Sequence, residues 1–186
     1  MYRLLTNTEF FAYEGEVWYR LPDASLHKLC ESDSEIILEL IDVISTFYPM
    51  AYDALCLEYK GCALNHSYYR YRIATRFIRC NFAQLDNIPD ISDNGRCSFE
   101  FVQCPLRGEC RYDNVICRPK FNHKLSAAEF PVLRLWYAGL SIETIADRLC
   151  LSPHTVHNHI RHAYQRLNVH SRSEFVLYAS QNNLFK

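Results

Sequence analysis

Two short helical patterns joined by a very tight link constrain the C-terminal third of this 186-residue chain more strongly than any other feature. Ser141 is a favoured N-cap residue, and apolar residues follow it at helical spacing as far as Leu149. After a link of two residues, Ser152 and Pro153 give a second helix start, because serine caps helices and proline fits the first helical position. This arrangement predicts a helix-turn-helix unit.

Capping signals place one helix before this unit and one after it. Ser126 and Glu129 have the spacing of a capping box, in which each residue satisfies a backbone N–H of the other. Gly139 is a suitable left-handed stop for that helix. Ser171 and Glu174 form a second capping box. We therefore predict a bundle of four helices at the C-terminus.

The helix that begins at Pro153 has one apolar and one basic side. Successive residues advance by about 100°, which points one set inward: Val156, Ile160, Ala163 and Leu167. The opposite stripe consists of His154, Asn158, Arg161 and Gln165. No Asp or Glu lies between Pro153 and His170, and residues 121–186 carry 7 Lys/Arg against 4 Asp/Glu. A basic helix side without carboxylates indicates a polyanionic partner.

A series of short motifs extends over residues 125–182 almost without gaps. They are Leu125-Ser126-Ala127-Ala128-Glu129, Ala138-Gly139-Leu140-Ser141, Ile145-Ala146, Leu151-Ser152-Pro153-His154-Thr155-Val156, Asn158-His159-Ile160 and Leu167-Asn168-Val169-His170-Ser171-Arg172. Together they resemble the LuxR-type helix-turn-helix domain. The resemblance implies a sequence-specific transcriptional regulator that binds double-stranded DNA and places the helix from Pro153 in the major groove.

The same resemblance implies roles for individual residues. Those expected to face the bases are His157, Asn158 and Arg161. Phosphate contacts near the helix N-terminus are expected from Ser152, Thr155 and His159. The DNA-binding set is completed by His154 and Arg172. The last helix of such domains commonly pairs two protomers, and the residues expected to form a homodimer contact are Phe175, Tyr178 and Ala179.

Two histidines stand where the family usually has arginine and lysine, namely His154 and His157. Because histidine gains its charge only near its free pKa of about 6.5, we expect DNA affinity to increase as the pH falls through that value. Equal operator binding above and below this pH, at constant salt, would refute the expectation.

Residues 93–121 are rich in cysteine and poor in regular patterns. Cys97, Cys104, Cys110 and Cys117 are separated by six, five and six residues. Four thiolates at such spacing can clamp an irregular segment around zinc, and Cys80 is an alternative ligand to Cys97. An iron–sulfur cluster or metal-free buried cysteines remain open alternatives. The stretch from Cys104 through Pro119 resembles compact LuxR-type proteins of Bacteroidetes.

Residues 1–92 are predicted to form a helical adaptor or sensor region. Aromatic runs on both sides of Glu14-Gly15 predict a small β-hairpin. Helical patterns follow from Ser34, over residues 51–59 and over residues 67–80. With the cysteine-rich segment at 93–121 and the bundle at 122–186, the fold is predicted to be mainly α. The arginine-rich side of the third helix is either simply exposed to solvent or contacts phosphate groups.

Composition narrows the remaining function classes. The 49% apolar and 22% charged residues are ordinary for a globular protein. The first seven residues are too polar for a secretory leader and no apolar run is long enough to span a membrane, so we expect a cytoplasmic protein without membrane contact. No glycine-rich phosphate loop or His-Glu-x-x-His motif is present, and no enzymatic activity is expected. The alternatives are a sigma-factor-like protein that binds RNA polymerase and an iron–sulfur redox-sensing regulator.

Overall fold

The computed structural model describes residues 2–86, 88–92, 95–122, 124–182 and 184–185. The chain divides into two compact units, residues 1–122 and residues 123–186, each with its own apolar core. The predicted junction at residues 122–124 includes His123, which lies outside the described residues. Helices predominate over one small sheet in the described part of the chain, which confirms the predicted mainly α fold. No helix in these ranges is long and apolar enough to cross a membrane.

The first unit begins with a three-stranded antiparallel sheet in the order β1-β2-β3. Strands β1 (Glu9–Tyr13) and β2 (Glu16–Arg20) form the predicted hairpin. The two turn residues, Glu14 and Gly15, have φ of 50° and 79°, a pair of left-handed values typical of a tight hairpin turn. Strand β3 (Leu26–Lys28) pairs with β2 and was not predicted, because three exposed residues carry no periodic signal.

Three helices cover the sheet-proximal core of this unit: α1 (Ser34–Phe47), α2 (Pro49–Glu58) and α3 (His66–Asn81). The buried side of α1 consists of Ile36, Ile37, Leu40, Val43 and Ile44. Tyr48 links α1 to α2 and is fully buried, and its hydroxyl accepts a hydrogen bond of 2.8 Å from the backbone N–H of Cys97. Burial raises the pKa of Tyr48. The three predicted helices are thus present.

The cysteine-rich segment is irregular, as predicted. Among its described residues there is no helix or named strand, and Ile91 forms isolated bridges with Thr6 and Cys97. Hydrogen bonds to side chains stabilise this segment. The Glu100 carboxylate accepts two of them, from the backbone N–H groups of Ala83 at 2.6 Å and Gln84 at 2.7 Å. These bonds hold the chain that leaves α3 against the returning segment.

The second unit is the predicted bundle of helices: α4 (Glu129–Tyr137), α5 (Ile142–Leu149), α6 (Pro153–Leu167) and α7 (Arg172–Gln181). Both capping boxes supply the expected N-cap bonds, with Glu129 N–H donating to Ser126 Oγ at 3.2 Å and Glu174 N–H donating to Ser171 Oγ at 3.1 Å. The core of the unit is formed by Val132, Leu133, Ile145, Ala146, Val156, Ile160, Ala163, Leu167, Val169, Phe175, Ala179 and Leu184.

Candidate nucleic-acid interface

The turn between α5 and α6 sets the position of the interface. Cys150 ends α5 in the left-handed conformation, with φ 53° and ψ 42°, and the next N–H, of Leu151, returns to the carbonyl of Ala146 at 2.9 Å. The chain then starts α6 at once, because Ser152 Oγ accepts a hydrogen bond of 3.0 Å from Thr155 N–H. The predicted tight helix-turn-helix connection is therefore present.

The inner side of α6 is fixed by burial. Its four buried residues are Val156, Ile160, Ala163 and Leu167, the same set that helical spacing predicts. The helix packs on both α4 and α5. Each of the three larger side chains, Val156, Ile160 and Leu167, stabilises this position by about 1.5–3 kcal/mol relative to exposure. The rotation of α6 about its axis is consequently determined by the core.

The opposite side of α6 lies open, and we call it the α6 outer face: His154, His157, Asn158, Arg161 and Gln165. All are exposed except Asn158, which is half-buried. The Arg161 guanidinium lies 3.4 Å from the ring nitrogen Nε2 of the exposed His162. Since α6 contains no carboxylate, the surface offers donors and positive charge without internal competition from acids.

The phosphate-contact candidates gather around the start of α6. The hydroxyl oxygens of Ser152 and Thr155 lie 2.8 Å apart, with Ser152 exposed and Thr155 half-buried. His159, one turn later, is also half-buried. The partial positive charge of a helix N-terminus favours anions at this end. The arrangement is suited to hold the backbone of a nucleic acid.

Arg172 differs from the expectation, because its guanidinium is engaged within the unit. It donates hydrogen bonds to the carbonyl oxygens of Trp136 at 2.8 Å and Leu140 at 3.2 Å, and it lies 3.6 Å above the indole ring of Trp136. A cation at the C-terminal carbonyls of a helix is also favoured by the helix dipole. Arg172 thus connects the start of α7 to the end of α4.

The predicted dimer contacts need correction. Phe175 and Ala179 are buried in the core of the second unit, and Tyr178 is half-buried, with burial raising its pKa. The apolar side chains that α7 exposes are instead Val176, 38% exposed, and Leu177, 58% exposed. Residues 175–179 form an unbroken apolar or aromatic run, so the sequence gives no periodicity that distinguishes the packed side from the open one.

An ion pair between the buried Glu129 and the exposed Arg166 anchors the far end of α6, and the sequence identifies only the capping role of Glu129. The Glu129 carboxylate is 3% exposed, accepts a hydrogen bond from Ser126 N–H at 2.8 Å and pairs with Arg166. Burial acts to raise the pKa of Glu129, but the hydrogen bonds from Ser126 and the charge of Arg166 outweigh it and leave this pKa below its ordinary value.

The cysteines predicted as metal ligands have different surroundings. Cys97 is buried next to Tyr48, and its backbone N–H bonds to that hydroxyl. Cys80, the alternative ligand, directly precedes Asn81, whose side chain bonds to the backbone of Ile116 and Arg118 on both sides of Cys117. Arg76 donates a hydrogen bond of 3.9 Å to Cys110 Sγ. No group of three or more His, Cys, Asp or Glu side chains within the described ranges is arranged to hold a metal ion.

Comparison with known proteins agrees with the geometry of the second unit. Residues 123–179 match the family described as bacterial regulatory proteins, luxR family. The HTH-type transcriptional regulator MalT of Vibrio cholerae is 44% identical over 57 residues, which are 31% of this chain and 6% of that protein. The proteins of the same name from Vibrio campbellii and Vibrio parahaemolyticus are 42% identical over 55 residues, which are 30% of this chain and 6% of each.

The similarity is confined to the C-terminal domain, and the chain spans only a small part of these relatives. No solved structure significantly matches the chain. Within the matched stretch, the capped helices, the left-handed turn at Cys150 and the buried side of α6 all agree with the helix-turn-helix assignment. Residues 123–179 are therefore similar to the helix-turn-helix domain of the luxR family of bacterial regulatory proteins, and the described part of this stretch has a helix-turn-helix arrangement.

Proposed function

We propose that the chain is a sequence-specific transcriptional regulator of the cytoplasm that reads the major groove of double-stranded DNA with α6. The observation that carries the proposal is the α6 outer face, which is exposed apart from the half-buried Asn158, basic and free of carboxylates, while the inner side of the same helix is packed in the core. A helix of this width fits the major groove, where each base pair presents a distinct donor and acceptor pattern.

The outer face supplies complementary chemistry for base recognition. Arg161 can donate two parallel hydrogen bonds to a guanine, and Asn158 can donate to and accept from an adenine. His157, exposed beside them, adds a donor or an acceptor according to its protonation. The side chains of Ser152, Thr155, His154 and His159 are assigned to phosphates, which position the helix without specifying sequence. Arg172 is not included, because its guanidinium is held against the end of α4 by two hydrogen bonds and by the Trp136 ring.

The decisive experiment selects an operator from random duplexes with the full chain and then measures binding of an Arg161→Ala variant. If Arg161 contacts a guanine, affinity should fall by about 1–3 kcal/mol, roughly 5- to 150-fold, and the preference at one base position should disappear. The matched control is Arg134→Ala, which removes the same charge from an exposed position on α4. An equal loss in both variants, with the base preference retained, would contradict base reading by α6.

We further propose that the regulator binds as a homodimer through the exposed side of α7. Val176 and Leu177 are large apolar side chains open to solvent on a short helix whose buried residues, Phe175 and Ala179, belong to the core. Apolar groups in this position favour a second copy of the same helix, since a two-fold contact buries the same patch on both protomers. We expect such a dimer to bind an operator with two half-sites related by inversion.

The oligomeric state is tested with Leu177→Asp, using Leu57→Asp as the control. Both leucines are 58% exposed, but Leu57 lies on α2 in the first unit. We expect Leu177→Asp to shift the sedimentation of the protein–operator complex from two chains per duplex to one, and Leu57→Asp to leave it unchanged. A single wild-type chain on a full operator at saturation would rule out the dimer.

A further inference from the structure

A cleft lies between α3 and the β1–β2 hairpin in the first unit. Helix α3 packs on both strands of the hairpin. The cleft has a volume of about 400 Å³, which is within the range of small-molecule sites in proteins. Its walls are formed by the turn and second strand of the hairpin, by one residue of β3, by the residue that follows α2 and by one side of α3. The arginine-rich side of α3 thus lines a cavity.

The cleft is strongly basic. The charged side chains that line it are Glu16, Lys28, Arg72, Arg76 and Arg79. Lys28 and Glu16 pair with each other, with Nζ 2.5 Å from Oε1. The three arginines have no ion-pair partner among the described residues. Because a guanidinium stays charged at any physiological pH, three positive charges remain in the cleft without a carboxylate to offset them.

Two tyrosines hold Arg72 in place. Its guanidinium carbon lies 4.7 Å from the centroid of the Tyr59 ring and 5.6 Å from that of Tyr68, and its Nη1 donates to the Tyr68 hydroxyl at 2.8 Å. Contact with an aromatic ring orients a guanidinium without neutralising its charge. Arg72 is therefore preorganised, so an anion that binds to it does not have to order a free side chain.

Arg76 is half-buried and lacks an anionic partner. Its Nε is buried and has no hydrogen-bond partner in the described part of the chain, and its Nη2 donates to the sulfur of Cys110 at 3.9 Å. A thiol is a weak acceptor. Glu58, the acidic residue that precedes Tyr59, is paired with Arg111. An anion in the cleft would therefore offset the charge of the Arg76 guanidinium.

Arg79 lies at the hairpin turn and is exposed. A Cβ atom at Gly15 would be 3.7 Å from Arg79 Nη2, so the guanidinium approaches the backbone of the turn closely. Arg72, Arg76 and Arg79 are separated by four and three positions, which places them on the same side of α3. Several guanidinium groups around one cavity suit a phosphate group, because each planar fork can form two parallel hydrogen bonds with its oxygens.

We propose that this cleft binds a small phosphorylated molecule, whose phosphate group accepts hydrogen bonds from Arg72, Arg76 and Arg79. Tyr71, which also lines the cleft, offers an aromatic surface to the rest of the ligand. A nucleic acid carries the same phosphate chemistry, but a duplex is too wide to enter a cavity of about 400 Å³ in which Arg76 is half-buried. The inference concerns the first unit and does not depend on DNA recognition by α6.

The test titrates the full chain with inorganic pyrophosphate and with phenyl phosphate in a calorimeter at constant ionic strength. We expect each probe to bind, and Arg76→Gln to weaken the binding about tenfold or more through the loss of a charge-assisted hydrogen bond. The matched control is Arg70→Gln, which removes the same charge from an exposed position on α3 outside the cleft and should leave the affinity unchanged. The proposal is wrong if neither probe binds at millimolar concentration, or if the two variants lose affinity equally.

Arg79→Gln keeps the proposal falsifiable if Arg76→Gln does not fold, because Arg79 is exposed and has no ion-pair partner within the described ranges. Its affinity for pyrophosphate should fall about fivefold, and an unchanged affinity would contradict the site.

Two competitors identify the class of ligand. Citrate should bind more weakly than pyrophosphate, and an equal affinity would overturn the assignment to phosphate. A DNA duplex of random sequence should displace neither probe. Displacement by the duplex, together with weaker duplex binding by Arg79→Gln, would assign the cleft to nucleic acid and overturn the proposal.

Discussion

The contact of Arg172 with the end of α4 gives a sharp prediction. Replacing an arginine that contacted phosphate would weaken DNA binding, whereas replacing one that holds two helices together would lower stability. Replacing it by methionine, Arg172→Met, removes two hydrogen bonds to carbonyl oxygens and the stacking of the guanidinium on Trp136. We therefore expect the substitution to reduce the stability of the second unit and to leave the operator affinity of the folded protein unchanged.

The magnitude follows from the three contacts. A hydrogen bond from a charged donor contributes up to about 3 kcal/mol, but the half-buried Arg172 competes with water, so we assign about 1 kcal/mol to each of the two. The cation–π contact adds about 1 kcal/mol. The total is about 3 kcal/mol for Arg172→Met. Arg172→Lys should lose nearly as much, because an ammonium group cannot reproduce the planar fork or the stacking.

Urea unfolding of the full chain measures this loss separately for the second unit. The protein contains two tryptophans, and a Trp18→Phe background leaves Trp136 as the fluorescent reporter in the bundle. Operator affinity is then measured on each folded variant. The reasoning is refuted if Arg172→Met unfolds at the same urea concentration as the parent while its operator affinity falls tenfold or more, and if Arg172→Lys restores that affinity.

Three further substitutions probe the buried groups. Asp90 is buried and its pKa is raised to about 8, so the stability that its protonated form provides decreases as the pH rises towards that value. Asp90→Asn should therefore gain stability relative to the parent between acidic and mildly alkaline pH. A difference in melting temperature between the two proteins that does not change with pH would contradict this. The pKa of Glu129 is lowered, so its contribution is present at neutral pH and lost on acidification; Glu129→Gln should cost about 1–3 kcal/mol at neutral pH and little in acid, as measured by urea unfolding. Phe175→Ala should destabilise the second unit by about 3–5 kcal/mol. Replacing a residue that only contacts a partner protomer would instead change the association constant alone.

Local signals in the sequence account for much of the bundle. The capping serines at 141, 152 and 171 each accept the expected N–H bond, since a cap depends only on residues within one turn. The same locality explains why the Glu14-Gly15 turn identifies the hairpin. The two sides of α6 were predicted correctly because apolar and polar residues alternate there with the helical period.

Contacts between residues distant in sequence could not be predicted in this way. Arg172 reaches carbonyl oxygens 32 and 36 positions earlier, and the partner of the buried Glu129 is 37 positions later. The proximity of Cys80 to Cys117 depends on the side chain of Asn81, whose partners lie 35 and 37 positions away. Nothing in the spacing of these residues identifies the pairs, because each contact follows from how separate elements pack.

The division of α6 into a locked inner side and an open outer side has a consequence for the DNA recognition proposed above. Stability depends on the core residues and on the link between Arg166 and Glu129, whereas His157, Asn158 and Arg161 contribute little to the fold. Exchanging these surface residues should therefore redirect the protein to new promoters without unfolding it. Under the proposed function, substitutions at these three residues change the recognised operator while the scaffold stays intact.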